Sequence, residues 1–196
     1  MTKAAYALIL ESYCNNHNWI LNYAEKLTDG QLSWKAGPGT LSIAFFLWHL
    51  GRWADHLQAA LPGMTPELTR RLPPGLQVWE TGDYARTWGF DSGSTGYAET
   101  GMYMDEATAA QLVFPSKDVL LDYVRRAFAA AEQAVNAIDE EQFLAVEQPQ
   151  TITEGIWDPD GTVGSAIISH LIHDDRHLGM MECLVGLQKG SGSASV

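Results

Sequence analysis

The chain has 196 residues, 46% hydrophobic and 18% charged, a globular composition that excludes disorder, collagen-like repeats and a coiled-coil rod. Lys and Arg total 12 against 24 Asp and Glu, a formal charge of −12, so neither nucleic acid nor an anionic membrane is expected as a partner. Two cysteines, Cys14 and Cys183, make no disulfide framework, and the absence of a signal-peptide pattern or a run of about 18 apolar residues gives a cytoplasmic protein as the expectation.

Leu10, Cys14, His17, Leu21 and Ala24 recur in steps of three and four, which predicts an amphipathic helix over 4–27 with that stripe toward a core. Thr28-Asp29-Gly30 stops it, and a loop with Gly37-Pro38-Gly39 follows. A second helix starts behind Ser42 as N-cap and runs from Ile43 to Leu61, before Pro62-Gly63. Its first half is apolar on every side, as in a buried helix.

Residues 62–115 read differently. They hold Pro62, Pro66, Pro73 and Pro74 and the aromatics Trp79, Tyr84, Trp88, Phe90, Tyr97 and Tyr103. Thr65-Pro66 opens a short helix to about Leu72, and the rest is expected to be an irregular insert packed on the body as a lid or binding loop. Ser116 is the expected N-cap of a third long helix to Ile138. A loop through Pro149, Trp157, Pro159 and Gly161 leads to a fourth helix over 163–187, and a flexible tail over 189–196 ends the chain. The expected fold is therefore all-α: a four-helix bundle in one domain, 1–188, with the insert between helices two and three.

A faint internal repeat runs through this order. Leu27-Thr28-Asp29-Gly30-Gln31-Leu32 echoes Ile138-Asp139-Glu140-Glu141-Gln142-Phe143, and each is followed by a Gly-Thr pair and a helix carrying His-Leu twice, seven residues apart. Related helix pairs would set helices two and four side by side about a pseudo-twofold axis.

Of six histidines, His49 and His56 fall on the second helix, His170, His173 and His177 on the fourth, and His17 on the stripe of the first. His173 and His177 are one turn apart on one face, where two imidazole nitrogens can reach one metal ion at about 2.1 Å, although such pairs also occur on ordinary helix surfaces. His170 and His177 are about two turns, ~10 Å, apart and cannot share an ion, and neither can His49 and His56. A third ligand therefore has to come from His49 or His56.

The order of these segments, with Trp48-His49-Leu50 and then His173-Asp174-Asp175-Arg176-His177-Leu178-Gly179, resembles the DinB-like, YfiT-like metalloprotein family of metal-dependent hydrolases and thiol-dependent transferases. The resemblance covers the four helices and implies a bundle with a divalent metal, nickel or zinc foremost and iron or manganese as alternatives. It implies His49, His173 and His177 as ligands, and a homodimer. Thiol-dependent relatives can carry Glu at the position of His173, so this chain looks more like the three-histidine branch. The long aromatic insert departs from the family's shorter connection and leaves the substrate class open.

Three neutral imidazoles leave the ion's double charge intact and a coordination position vacant, which brings the pKa of a bound water toward about 7 or accepts a thiolate. Asp174 stands where His-Glu-x-x-His metalloproteases carry a general base, and its other role is to orient an imidazole. His17 is a hydrogen-bonded core histidine or a pocket group; His56, His170, Trp53 and Trp88 are substrate-pocket candidates, with Trp88, Phe90 and Tyr97 expected at the cavity mouth. Four functional readings follow: a hydrolase of a small molecule, a low-molecular-weight-thiol-dependent transferase or isomerase, a bundle that binds metal or ligand without turnover, and a structural bundle without metal in which the histidines are incidental.

Overall fold

The computed structural model describes residues 3–91, 93–146 and 161–190. Pro149, Trp157, Pro159 and the tail residues 191–196 lie outside the described residues. Among those described, the structure is all-α and holds no strand, only the isolated bridges Tyr97–Met102 and Val146–Thr162. No helix among them is long and apolar enough to cross a membrane.

Four long helices carry the fold: α1 (Lys3–Glu25), α3 (Ile43–Met64), α8 (Lys117–Asn136) and α10 (Val163–Lys189). α3 packs on α8 and α10, and α1 packs on the same two. The sequence of α3 explains its central place. Every residue from Ile43 to Asp55 is buried, so no face of it is left for water. α1 is half-buried, and its inner stripe is Tyr13, His17, Ile20 and Ala24. Leu10, Cys14 and Leu21 sit on the margin of that stripe, one position off the predicted centre.

The helix starts follow local chemistry. Ser42 caps α3 by accepting from Phe45 N, and Thr162 caps α10 in a box with Ser165. α3 does not end at Pro62 but continues through it to Met64, where a missing N–H costs only one bond of the last turn. Thr65 closes α3 and caps α4 (Pro66–Arg71). Ser116 stands at the N-cap of α8 but its hydroxyl does not cap; Asp29 Oδ1 accepts from Lys117 N at 2.7 Å instead. α10 runs to Lys189 with Gly190 as its left-handed cap, so the helix extends into the stretch expected to be a tail.

The repeat is visible in three dimensions. α2 (Asp29–Ser33) and α9 (Glu140–Phe143) are matching short helices, capped by Thr28 and Asp139 through the amides of Gln31 and Gln142. Each buries its last apolar residue, Leu32 and Phe143. It does not extend to the histidines that converge, which come unequally from α3 and α10.

The insert is more ordered than its composition predicts. It contains α4, α5 (Val78–Thr81), α6 (Tyr84–Trp88) and α7 (Glu106–Gln111). Trp79 is its anchor, 2% exposed, with Tyr123 of α8 at 5.2 Å and Trp48 of α3 at 6.2 Å between ring centroids. Phe90 and Phe114 complete this aromatic layer. Burial of large rings supplies what the irregular backbone lacks.

Candidate metal centre

Three imidazoles meet between α3 and α10. His49 Nε2 lies 3.0 Å from His173 Nε2, and His177 Nε2 lies 3.0 Å from the same atom. One ring atom from each of the three falls within 4.8 Å of the others. The i, i+4 spacing of His173 and His177 places both on one face of α10, and Ser42 fixes the start of α3 so that His49 faces them. Aromatic rings hold the set: Phe45 stacks on His49 at 5.9 Å, Phe46 lies 5.1 Å from His177, and Trp53 stands edge-on to His49 and His173.

The proton count is what makes this a site. His49 donates its Nδ1 proton to the Thr100 carbonyl, which leaves Nε2 as a bare lone pair. His173 Nε2 meets two nitrogens, and one shared proton is the most it can bring to both contacts. Buried nitrogens facing one another without enough protons are costly in a bare protein. A divalent cation removes the conflict, because two imidazole nitrogens on one ion at about 2.1 Å each stand about 3.0–3.4 Å apart. The donor set therefore fits a divalent metal, and the cluster could hold one.

Burial keeps His49 and His177 neutral. It lowers the pKa of His49 to about 3, with His173 and His177 adding to the effect, and that of His177 to about 4, with His173 next. A neutral imidazole is the form that binds a metal.

Behind His173 lies a second buried network. Asp174 Oδ1 is 3.8 Å from His173 Nδ1, and Asp174 Oδ2 is 3.4 Å from His17 Nε2. His17 Nδ1 in turn bonds Glu132 Oε1 at 2.8 Å, and the ring stacks on Phe128 at 3.8 Å. Burial works against charge on His17, yet the Asp174 and Glu132 carboxylates outweigh it and raise its pKa. Burial likewise opposes an ionised Asp174, but His17 and His173 hold its pKa down at about 2. Asp174 thus faces the Nδ1 edge of His173, away from the converging nitrogens, the side from which a carboxylate orients an imidazole. His17 is a core histidine bridging two carboxylates, not a wall of the cluster.

The remaining candidates divide. Trp53 touches His49, His173, His170 and His56, and Tyr97 stacks on Trp53 at 6.3 Å. His56 and His170 flank this tryptophan, both held neutral chiefly by burial, at about 4 and about 3. Trp88 and Phe90 do not stand at a mouth of the cluster. They pack on Trp79, with Trp88 also on Tyr123, and no ring contact among the described residues joins either to a histidine.

Two features escaped the sequence reading. The Thr100 carbonyl is a backbone group and leaves no side-chain signal. Arg52, Asp55 and Gln58 form a polar stripe at i, i+3, i+6 inside an otherwise apolar helix, a signal that was legible. Arg52 is 1% exposed and Asp55 is fully buried. The Asp55 carboxylate accepts from Arg52 Nη1, Gln58 Nε2 and the amides of Val78 and Trp79, and so caps α5 from another helix.

Comparison with known proteins bears on the family and the fold. A family model described as the DinB superfamily matches residues 17–181. No curated protein matches the chain. A conserved protein from Enterococcus faecalis has a similar structure, with a TM-score of 0.70 at 20% identity over 97% of this chain and 99% of that one, which shows a shared fold.

Proposed function

The chain belongs to the DinB superfamily, and from that premise we propose that it is a metal-dependent enzyme, a hydrolase of a small molecule, with His49, His173 and His177 as ligands of a divalent ion, nickel or zinc foremost. The observation that carries this reading is the pair of 3.0 Å contacts at His173 Nε2, which ordinary hydrogen bonding cannot satisfy together. When bound there, such an ion supplies Lewis acidity, lowering the pKa of water toward about 7 and polarising a carbonyl.

The chain's own residues supply the rest. The Thr100 carbonyl and Asp174 orient His49 and His173 from their Nδ1 edges. Phe45, Phe46 and Trp53 exclude water from the ligand rings. His177 is the least buried of the three. Trp53, Tyr97, His56 and His170 offer an aromatic wall with neutral imidazoles, suited to a small, partly apolar substrate.

The test is turnover by the metal-reconstituted full chain on a panel of esters and amides, and separately on electrophiles with low-molecular-weight thiols. Hydrolysis that disappears in His173→Ala supports the proposal. Turnover only with thiol replaces it by thiol-dependent transfer or isomerisation, and stoichiometric metal without turnover in either panel leaves a binding protein.

A further inference from the structure

The loop over 95–103 is wound in a way that needs an explanation. Ala98 and Glu99 are consecutive non-glycine residues with φ of 47° and 56°, Tyr103 follows at 58°, and Gly96 and Gly101 share the left-handed region. L-residues adopt this conformation rarely, and it persists only where surroundings impose it. Here the surroundings are Arg52. Its Nε donates to the Glu99 carbonyl and its Nη2 to the Ala98 carbonyl, both at 2.9 Å, while Nη2 also reaches Gln77 and Nη1 reaches Asp55. Trp79 Nε1 holds the Glu99 side chain. The left-handed pair turns two successive carbonyls onto one guanidinium, and the next carbonyl, that of Thr100, falls on His49 Nδ1. Gly101 lets the backbone come this close: a Cβ there would lie 2.9 Å from Phe45 and Trp48 and 3.4 Å from His49 Nδ1.

We propose that this insert loop is a working part of the metal centre, with Arg52 as a positioning residue that pins the loop so that Thr100 holds the Nδ1 proton of His49 and aims its Nε2 at His173 and His177. In its bearing on metal the inference rests on the proposed function; in its bearing on the His49 proton it stands on the protein alone. The chemistry requires a guanidinium. A lysine keeps the charge opposite Asp55 but has no planar fork to reach both carbonyls and Gln77.

The test uses two variants of the full chain, because they disturb the loop from opposite sides. Arg52→Lys keeps the buried charge, and Gly101→Ala leaves Arg52 untouched while crowding the loop away from His49. In 15N-histidine spectra of the metal-free protein, the native chain is expected to show His49 as one tautomer, protonated at Nδ1 and protected from exchange. Both variants are expected to lose that protection and to mix tautomers. Their dissociation constants for zinc, measured by chelator competition, should rise by about 10- to 100-fold while the helical circular dichroism stays native. Native-like variants that keep the His49 resonance and bind zinc within twofold of the parent would overturn the inference. If the parent binds no zinc but the resonance responds as described, the positioning of His49 stands and the metal reading falls.

Discussion

Helix α3 buries polar side chains on two faces, on opposite terms. On the face toward the insert, Arg52, Asp55 and Gln58 meet partners of matching polarity, and the Asp55 carboxylate alone accepts from three side chains, Arg52, Gln58 and Tyr123, and two backbone amides. On the face toward α10, His49 meets His173, and nitrogen meets nitrogen with too few protons. A buried polar group that is fully paired builds structure; one that faces its own kind leaves a donor set that could hold a metal ion. The difference lies in the partners, not in the burial, since Asp55 and His49 are both deep in the protein.

The sharpest way to break this contrast is to remove one charge of the paired face. Asp55→Ala strands the Arg52 guanidinium and uncaps α5, and should cost about 3–5 kcal/mol of stability, read as a fall in the urea midpoint. His177→Ala should move that midpoint less in metal-free protein, because it removes no satisfied pair. An equal loss for both would erase the distinction. For metal the ranking reverses: His173→Ala and His177→Ala should each lose stoichiometric metal by elemental analysis, while a folded Gln58→Leu should retain it.

Acidification separates the faces further. His49 and His170 have pKa values lowered to about 3, and His56 and His177 to about 4, against an unfolded value near 6.5. Between those limits the unfolded chain binds more protons, so stability falls as pH drops, by up to about 1.4 kcal/mol per pH unit for each group. His17 has the opposite sign: its raised pKa gives stability that is complete below pH 6.5 and fades as pH rises through the folded value. Four groups outweigh one, and the urea midpoint of the metal-free protein should fall between pH 6.5 and 4.5. A flat profile would contradict the neutral, buried state of these rings.

How much of this was legible in the sequence depends on what carried the information. Helical periodicity and caps are local, so the four long helices and Ser42, Thr65 and the fourth helix's start were readable to within a few residues. The His173–His177 pair was readable because four residues make one turn. Tertiary partners were not: Asp29 replaces Ser116 at the start of α8 from 88 residues away. The insert's aromatics suit a packed layer as well as a lid, and which of the two each ring joins depends on tertiary partners: Trp79, Phe90 and Trp88 fill a core shared with Tyr123. A pair of surface variants measures this lesson at small scale. Asp29→Ala should cost about 1 kcal/mol, and Ser116→Ala, whose hydroxyl caps nothing, less than about 0.5.

The central claim is that three imidazoles from α3 and α10 hold a divalent ion. Its most direct test is the metal content of the full chain purified without a histidine tag, by elemental analysis after reconstitution and desalting. The account predicts close to one equivalent of a transition metal, absent from His49→Ala. Less than about half an equivalent, or the same content in that variant, would contradict it.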